Sequence, residues 1–366
     1  MPHRRKGDRF LLFSGVEGDS LAEAVAKQLE MELSPVKKLR FNSVVPGGEE
    51  TKPEIQCNVM DRHCVIVWSV GNTNDELMQI LQLVRGLKRP GEARMVTLVA
   101  PYFPYARQDK SHGRREPVIA KLTADLLLMA GVDRIVYLDI HSEQIEGFFG
   151  ETRARSLWMD NIYLDYLEKR LPQLVTNLGI TPEAVRNMPL DEGGVAQNYR
   201  IAKTLKHELA VHMKKRDWSK MYSVTSMGIA GNVVNCLVYT RDDICASGDS
   251  LFAAAAEAKT QGAKYVMALI THTQGFDKAG EKSFADKLNS SAVDELVTTN
   301  SLTRFSNRVL CEPALQQRIT VLDISKYLAE VIRRTNSGLT IREMMNEVKP
   351  ENLYSELFKS EAAKKS

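Results

Sequence analysis

The sequence lacks any run of about 18 uninterrupted apolar residues, the least a membrane-spanning helix needs, so no membrane partner is expected. Its basic start, Met1 to Arg9, is followed by no apolar stretch long enough for a secretory signal before Gly15, and a cytoplasmic protein is expected. Cysteine is scarce. There are five, an odd number, with no C-x-x-C pair, and the seven histidines are scattered, so neither a zinc site nor a disulfide framework is expected. Cys57, Cys64, Cys236, Cys245 and Cys311 read as small buried side chains in a reducing compartment. An excess of one charge is missing too. With 49 basic and 46 acidic residues the net charge is +3, which argues against a nucleic-acid footprint. Anion binding must come from local placement of charge. There is no low-complexity segment.

What is present is 366 residues, 43% hydrophobic and 26% charged, the balance of a globular chain with two domains of ordinary size. Val65–Trp68 is a short continuous apolar run, as a buried parallel strand would be, Met95–Ala100 reads as another buried strand, and Phe10–Phe13 and Arg134–Ile140 read as strands too. Between Val65–Trp68 and Met95–Ala100, Leu77, Ile80, Leu81, Val84 and Leu87 form one face of a helix opened by Asp75 and Glu76. The same strand–loop–helix–strand order returns late in the chain: strand Val233–Thr240, loop Arg241–Ser250, helix Leu251–Lys259 and strand Tyr265–Ile270. A duplicated α/β domain is expected, each copy a mainly parallel sheet flanked by helices. The expected boundaries are 1–157, 158–318, a closing strand and helix over 319–350 that pack back on the first domain, and a tail over 351–366. In such sheets ligands bind beyond the carboxyl ends of the strands.

Four loops in those positions could carry chemistry. The first, Tyr102–Asp109, runs into Lys110–Arg115, where Arg107, Lys110, Arg114 and Arg115 suit a polyphosphate or make a solvated basic loop. The second holds Asp139 and His141, two apart at a strand end, fit for a divalent metal or a phosphate, or for a structural pair. The third, Asp191-Glu-Gly-Gly194, offers carboxylates beside glycines, for magnesium or sugar hydroxyls, or a tight turn. In the fourth, Asp242 and Asp243 could take a ribose diol, and the small residues through Ser247 and Ser250 open a helix whose free N–H groups form an anion site. Acids for a diol and amides for a phosphate describe a ribose 5-phosphate; an ordinary capped helix is the alternative. Lys214 and Arg216 alternate along an extended segment and could neutralise a transferring phosphoryl group, or line a basic surface strand.

Together Pro101–Asp109, Leu138–His141 with Gln144–Phe149, Asp191–Gly194, and Asp323–Ser325 with Ile332–Arg334 resemble the ribose-phosphate diphosphokinases, also called PRPP synthetases. The resemblance spans nearly the whole chain, from Phe13 to Met345. It implies two phosphoribosyltransferase-type domains, ATP on the first and ribose 5-phosphate on the second. It also implies transfer of the β,γ-diphosphoryl group of ATP to O1 of ribose 5-phosphate. The implied roles are ATP contact by Arg107, Gln108, Asp109 and His141, with Phe41 and Glu50 reaching a neighbouring subunit's ATP. Mg2+ falls to His141, Asp191 and Asp139. Lys214 and Arg216 stabilise the transition state. Ribose 5-phosphate falls to Asp242, Asp243 and the run Ala246, Ser247, Gly248, Asp249, Ser250, and the diphosphate to the loop Ser69–Asp75 with Asn74. Homo-oligomers, often hexamers built from dimers, are implied as well. The sequence departs from the family in having Asp249 in place of glycine, Ala246 in place of an acid or hydroxyl residue, His112 in place of an acid, and an expanded stretch from Asn42 to Glu49. Those departures keep a second expectation open, a non-catalytic regulatory relative of the synthetases.

Overall fold

A computed structural model of the chain describes residues 10–42, 49–71, 73–111, 113, 115–216, 224–277, 279–341 and 344, and only the backbone at 42, 49, 214–216 and 224–227. His112, Arg114 and the tail over 351–366 lie outside the described residues, as do the side chains of Lys214 and Arg216. The chain divides into two compact units. One takes the described residues up to Leu157 with Asn300–Arg304 and Asp323–Ile341; the other takes Trp158–Thr299 and Phe305–Leu322 with Met344.

The first unit runs β1 (Leu11–Ser14), α1 (Ser20–Leu29), an antiparallel hairpin of β2 (Val36–Asn42) and β3 (Glu49–Ile55), then β4 (His63–Val67), α2 (Thr73–Lys88), β5 (Met95–Val99), α3 (Ile119–Ala130), β6 (Arg134–Leu138), α4 (Gln144–Gly147) and β7 (Arg153–Leu157). Its five-stranded sheet is wholly parallel, in the order β1-β4-β5-β6-β7. Every residue of β4 is buried, as a strand covered on both faces must be. Helix α2 buries Leu77, Ile80, Leu83, Val84 and Leu87, so Leu83 rather than Leu81 completes its inner stripe. The helix also opens at Thr73, ahead of the acids expected to start it, which puts Asn74 and Asp75 in its first turn rather than in a loop.

The second unit runs α5 (Asp160–Leu178), β8 (Val185–Asn187), α6 (Val195–Leu205), β9 (Glu208–Leu209), the antiparallel pair β10 (Val211–Arg216) and β11 (Val224–Ala230), then β12 (Leu237–Cys245), α7 (Asp249–Thr260), β13 (Tyr265–Thr273), α8 (Phe284–Ser290), β14 (Glu295–Thr299), α9 (Thr303–Cys311), α10 (Pro313–Gln316) and β15 (Ile319–Leu322). Its six-stranded parallel sheet has the order β15-β14-β13-β12-β8-β9. The α/β class, with mainly parallel sheets flanked by helices in two domains, agrees with the sequence reading.

Two expectations are corrected here. The strand expected over Val233–Thr240 lies at Leu237–Cys245, because Asn235 adopts a left-handed backbone (φ 57°) that no strand accommodates. Asp242 and Asp243 therefore stand inside the strand, not in the loop after it. The segment from Ile319 does not pack back as one piece either. Strand β15 is the edge of the second sheet, parallel to β14, and only the helix after it, α11 (Ser325–Ser337), groups with the first unit, against α1. Of the cysteines expected to be buried, Cys64, Cys236 and Cys245 are, whereas Cys57 is half-buried and Cys311 exposed. Among the described residues no helix is long and apolar enough to cross a membrane.

Candidate active site

In the first unit the loops that follow β4, β5 and β6 carry the polar groups. After β4, Ser69 is buried and held by Asp19. Its N–H donates to Asp19 Oδ2 at 2.8 Å and its hydroxyl to Asp19 Oδ1 at 2.8 Å, while the same hydroxyl lies 2.7 Å from Thr303 Oγ1. Asp19 also caps α1 through the N–H groups of Leu21 and Ala22, and its burial raises its carboxyl above the usual range. Farther along, Glu76 Oε2 accepts from Trp68 Nε1 at 3.0 Å and Gly71 N at 2.8 Å. The segment is thus fastened at both ends by carboxylates. Asn74 and Asp75 are exposed in the first turn of α2, and Asn74 Oδ1 accepts from the Tyr105 hydroxyl.

After β5, Tyr102, Phe103 and Ala106 are buried while Arg107 and Gln108 face solvent. Asp109 turns inward and accepts from Gln144 Nε2 at 2.7 Å, so its carboxylate fastens this loop to α4. After β6, Asp139 is buried with φ 37°, a conformation costly for a residue with a side chain, whereas His141 is exposed. Backbone strain of this kind marks a position fixed by its surroundings.

In the second unit Asp191 caps the turn Glu192–Gly194 that leads into α6, its Oδ1 accepting from Gly194 N at 3.2 Å. Neither Gly193 nor Gly194 has a positive φ, so the paired glycines serve a compact, capped turn. In the β10–β11 pair a bulge falls between Met213 and Lys214; beyond it Lys214 registers with Ser226 and Arg216 with Val224, two residues on. At the end of β12, Asp243 N donates to Asp242 Oδ1 at 3.0 Å. Burial, then the adjacent Asp243, then Asp191 farther off, push the Asp242 carboxyl well above its ordinary range. Ala246 and Ser247 lead to Gly248, whose φ of 80° and 2.4 Å approach of a would-be Cβ to the Phe252 ring admit only glycine. Helix α7 follows at once, with Asp249 and Ser250 exposed in its first turn. The Asp249 carboxylate accepts from Ser247 Oγ at 2.9 Å and from Lys287 Nζ at 3.2 Å, and Lys287 also pairs with Glu281.

Among the described residues no three His, Cys, Asp or Glu side chains are arranged to hold a metal ion. Asp243 and Asp191 nevertheless raise the Asp242 carboxyl between them, and carboxylates grouped in this way suit a hard cation or hydroxyl donors. Mg2+ in particular binds through one or two carboxylates together with substrate phosphates.

Comparison with known proteins decides the family. Residues 10–131 match the N-terminal domain of ribose phosphate pyrophosphokinase, and residues 197–346 the phosphoribosyl synthetase-associated domain. The chain is 31% identical over 331 residues to ribose-phosphate pyrophosphokinase 2 of Schizosaccharomyces pombe, covering 90% of this chain and 95% of that one. The chain belongs to the ribose-phosphate pyrophosphokinase family. A second pyrophosphokinase, from Chromobacterium violaceum, is 31% identical over 348 residues, covering 93% and 96% of the two chains. The crystal structure of phosphoribosylpyrophosphate synthetase from Mycobacterium smegmatis matches with a TM-score of 0.74 at 28% identity, over 90% of this chain and 99% of that one. The chain is therefore an enzyme, a transferase of kinase type.

Within this pyrophosphokinase several positioning groups were not singled out from the sequence. Asp19 had a signal, an aspartate directly before a helix that starts Ser20-Leu21. Glu76 had one as a helix-opening acid, whereas Asn198 and Lys287 had none, because their partners are fixed only by the packing of separate elements.

Proposed function

We propose that this pyrophosphokinase transfers the β,γ-diphosphoryl group of ATP to O1 of ribose 5-phosphate, giving phosphoribosyl diphosphate and AMP. The observation that carries the reading is the run from Asp242 to α7. Crowded carboxylates are followed within a few residues by a glycine turn and a helix start at which Gly248 supplies no side-chain cap. That is the donor and acceptor order of a sugar phosphate. Asp242 and Asp243 accept from the ribose hydroxyls, and the backbone from Ala246 through Ser247, Gly248 and Asp249 to Ser250 receives the 5-phosphate. Arg107, Gln108 and His141 contact ATP, Asp109 holds their loop, and Phe41 and Glu50 reach the nucleotide of a neighbouring copy in a dimer-based homo-oligomer. Ser69, Asn74 and Asp75 border the diphosphate.

The sugar hydroxyl attacks and AMP leaves, so positioning and charge neutralisation carry most of the catalysis. Lys214 and Arg216 supply cations to the transferring group. Asp191, Asp139 and His141 would hold Mg2+, which supplies charge neutralisation on the phosphates when bound. The Asp249 carboxylate at the head of α7 favours a second reading, a non-catalytic regulatory subunit, since it competes for the place of a phosphate.

A coupled assay for AMP, with ATP, ribose 5-phosphate and Mg2+ omitted in turn, tests the proposal. AMP formed only when all three are present supports it; AMP formed without the sugar, or none in the full mixture, overturns it. Lys214→Ala is expected to lower kcat about a hundredfold with an unchanged melting temperature. Full activity in that variant removes Lys214 from the mechanism.

A further inference from the structure

Strand β8 ends at Asn187, which registers with Tyr239 on β12, and one further bond, Met188 N to Tyr239 O at 2.7 Å, closes that ladder. No rung of it reaches Arg241, although β12 continues on its other edge beside β13, with Arg241 opposite Leu269. The side chain of Asn198, on α6, stands where the next rung would be. Arg241 N donates to Asn198 Oδ1 at 2.8 Å, and Asn198 Nδ2 donates to Arg241 O at 2.7 Å. A carboxamide carries the same donor and acceptor as a peptide group, so it replaces a missing strand residue. The backbone polarity of Arg241 also settles which end of the amide is oxygen.

The same amide makes two more bonds. Oδ1 accepts from Asn187 Nδ2 at 3.0 Å, and Nδ2 donates to Gly194 O at 2.9 Å. With 0% exposure, all four of its bonds are made inside the protein. Gly194 belongs to the turn capped by Asp191, and Arg241 is the residue before Asp242. One buried side chain therefore ties the turn of one carboxylate to the strand end of two others.

We infer that Asn198 is a positioning residue that sets the sugar-binding pair Asp242 and Asp243 relative to Asp191. The inference rests on the proposed substrate reading. Without this rung the Arg241 backbone loses its tie to the turn of Asp191, and the carboxylates lose the placement on which ribose binding depends.

The test uses the intact protein, with calorimetry for ribose 5-phosphate and separate KM values for sugar and ATP. Asn198→Asp keeps the shape and the Oδ1 acceptor but loses both donations. Asn198→Leu removes all four bonds. In Asn198→Asp the Kd and KM for ribose 5-phosphate are expected to rise about tenfold or more, with the KM for ATP nearly unchanged. Asn187→Ala serves as the structural control: it loosens the same region but spares both Arg241 bonds, so it should lower the melting temperature without shifting sugar affinity. Should Asn198→Leu fail to fold, Asn198→Asp decides. Unchanged sugar affinity in Asn198→Asp, or an equal loss in Asn187→Ala, overturns the role of Asn198. A wild-type protein that binds no ribose 5-phosphate overturns the substrate reading instead.

Discussion

Phe41 and Glu50 stand directly opposite each other as register partners across β2 and β3. Both are exposed, Phe41 at 51%. An exposed aromatic ring is equipped to stack on a base, and the carboxylate opposite it to accept from the base's amino group. Stacking of this kind contributes about 1–3 kcal/mol per base. Phe41→Ala is expected to raise the KM for ATP roughly tenfold. Its melting temperature should hardly move, since an exposed substitution changes stability by about 0.5 kcal/mol or less. Steady-state kinetics with ATP varied gives the answer, and an unaltered KM takes Phe41 out of the nucleotide site.

At the proposed sugar-phosphate site, Asp249 brings a negative charge to the head of α7, where it pairs with Lys287. The Asp249 side chain is half exposed, so the pair's worth is about 1 kcal/mol or less. Asp249→Gly is expected to tighten ribose 5-phosphate binding a few-fold, and Lys287→Ala to weaken it by a similar factor. In the double variant the effect of Lys287→Ala should vanish, because the charge it offsets is gone. Calorimetry on the four proteins measures this cycle; a full Lys287 effect that persists without Asp249 would mean the lysine acts on the phosphate directly.

His63 provides a pH-dependent stability. It is buried in β4 between Thr97 Oγ1, at 2.9 Å, and Asn336 Oδ1, at 3.2 Å, and burial lowers its pKa from 6.5 to about 4. Between those values the unfolded chain binds a proton that the folded chain does not. The stability tied to His63 is therefore complete above about pH 6.5 and is lost as the pH falls toward 4, by roughly 3 kcal/mol at most. Urea unfolding across pH 4–7 should show a shallower loss in His63→Gln than in wild type. Parallel curves would contradict the assignment.

Asp160 joins two arginines, Arg200 Nε at 2.6 Å and the fully buried Arg241 Nη2 at 3.0 Å. Removing one partner of a buried pair leaves the other charge uncompensated, at a cost of about 3–5 kcal/mol. Asp160→Asn should destabilise by that order in chemical denaturation. A loss under 1 kcal/mol would show that water compensates Arg241.

The hairpin of Phe41 and Glu50 shows where reading the sequence stops. Its strands, Val36-Lys-Lys-Leu-Arg-Phe-Asn42 and Glu49-Glu-Thr-Lys-Pro-Glu-Ile55, are too rich in charge to stand out by hydrophobicity, because a ribbon that is only half-buried on one face needs few apolar residues. The sheet strands were legible for the opposite reason. β4, β5 and β6 are buried on both faces, so apolar residues fill them apart from His63, Thr97 and Arg134. The strand carrying Asp242 and Asp243 was misplaced because Val233 and Val234 look like strand while Asn235 turns the chain. Only the ladder to β13 shows that two acids belong to a strand end.

Periodicity and local composition by themselves determined the α/β class, the duplicated order of elements and the loops where polar groups gather, since each is a property of neighbouring residues along the chain. The tertiary structure alone decided that Asp19 holds Ser69, that Asp109 turns inward to Gln144, and that Asn198 completes a strand from which it is separated by 43 residues. Those are contacts between distant segments, and hydrogen-bond geometry exists only once the segments have packed.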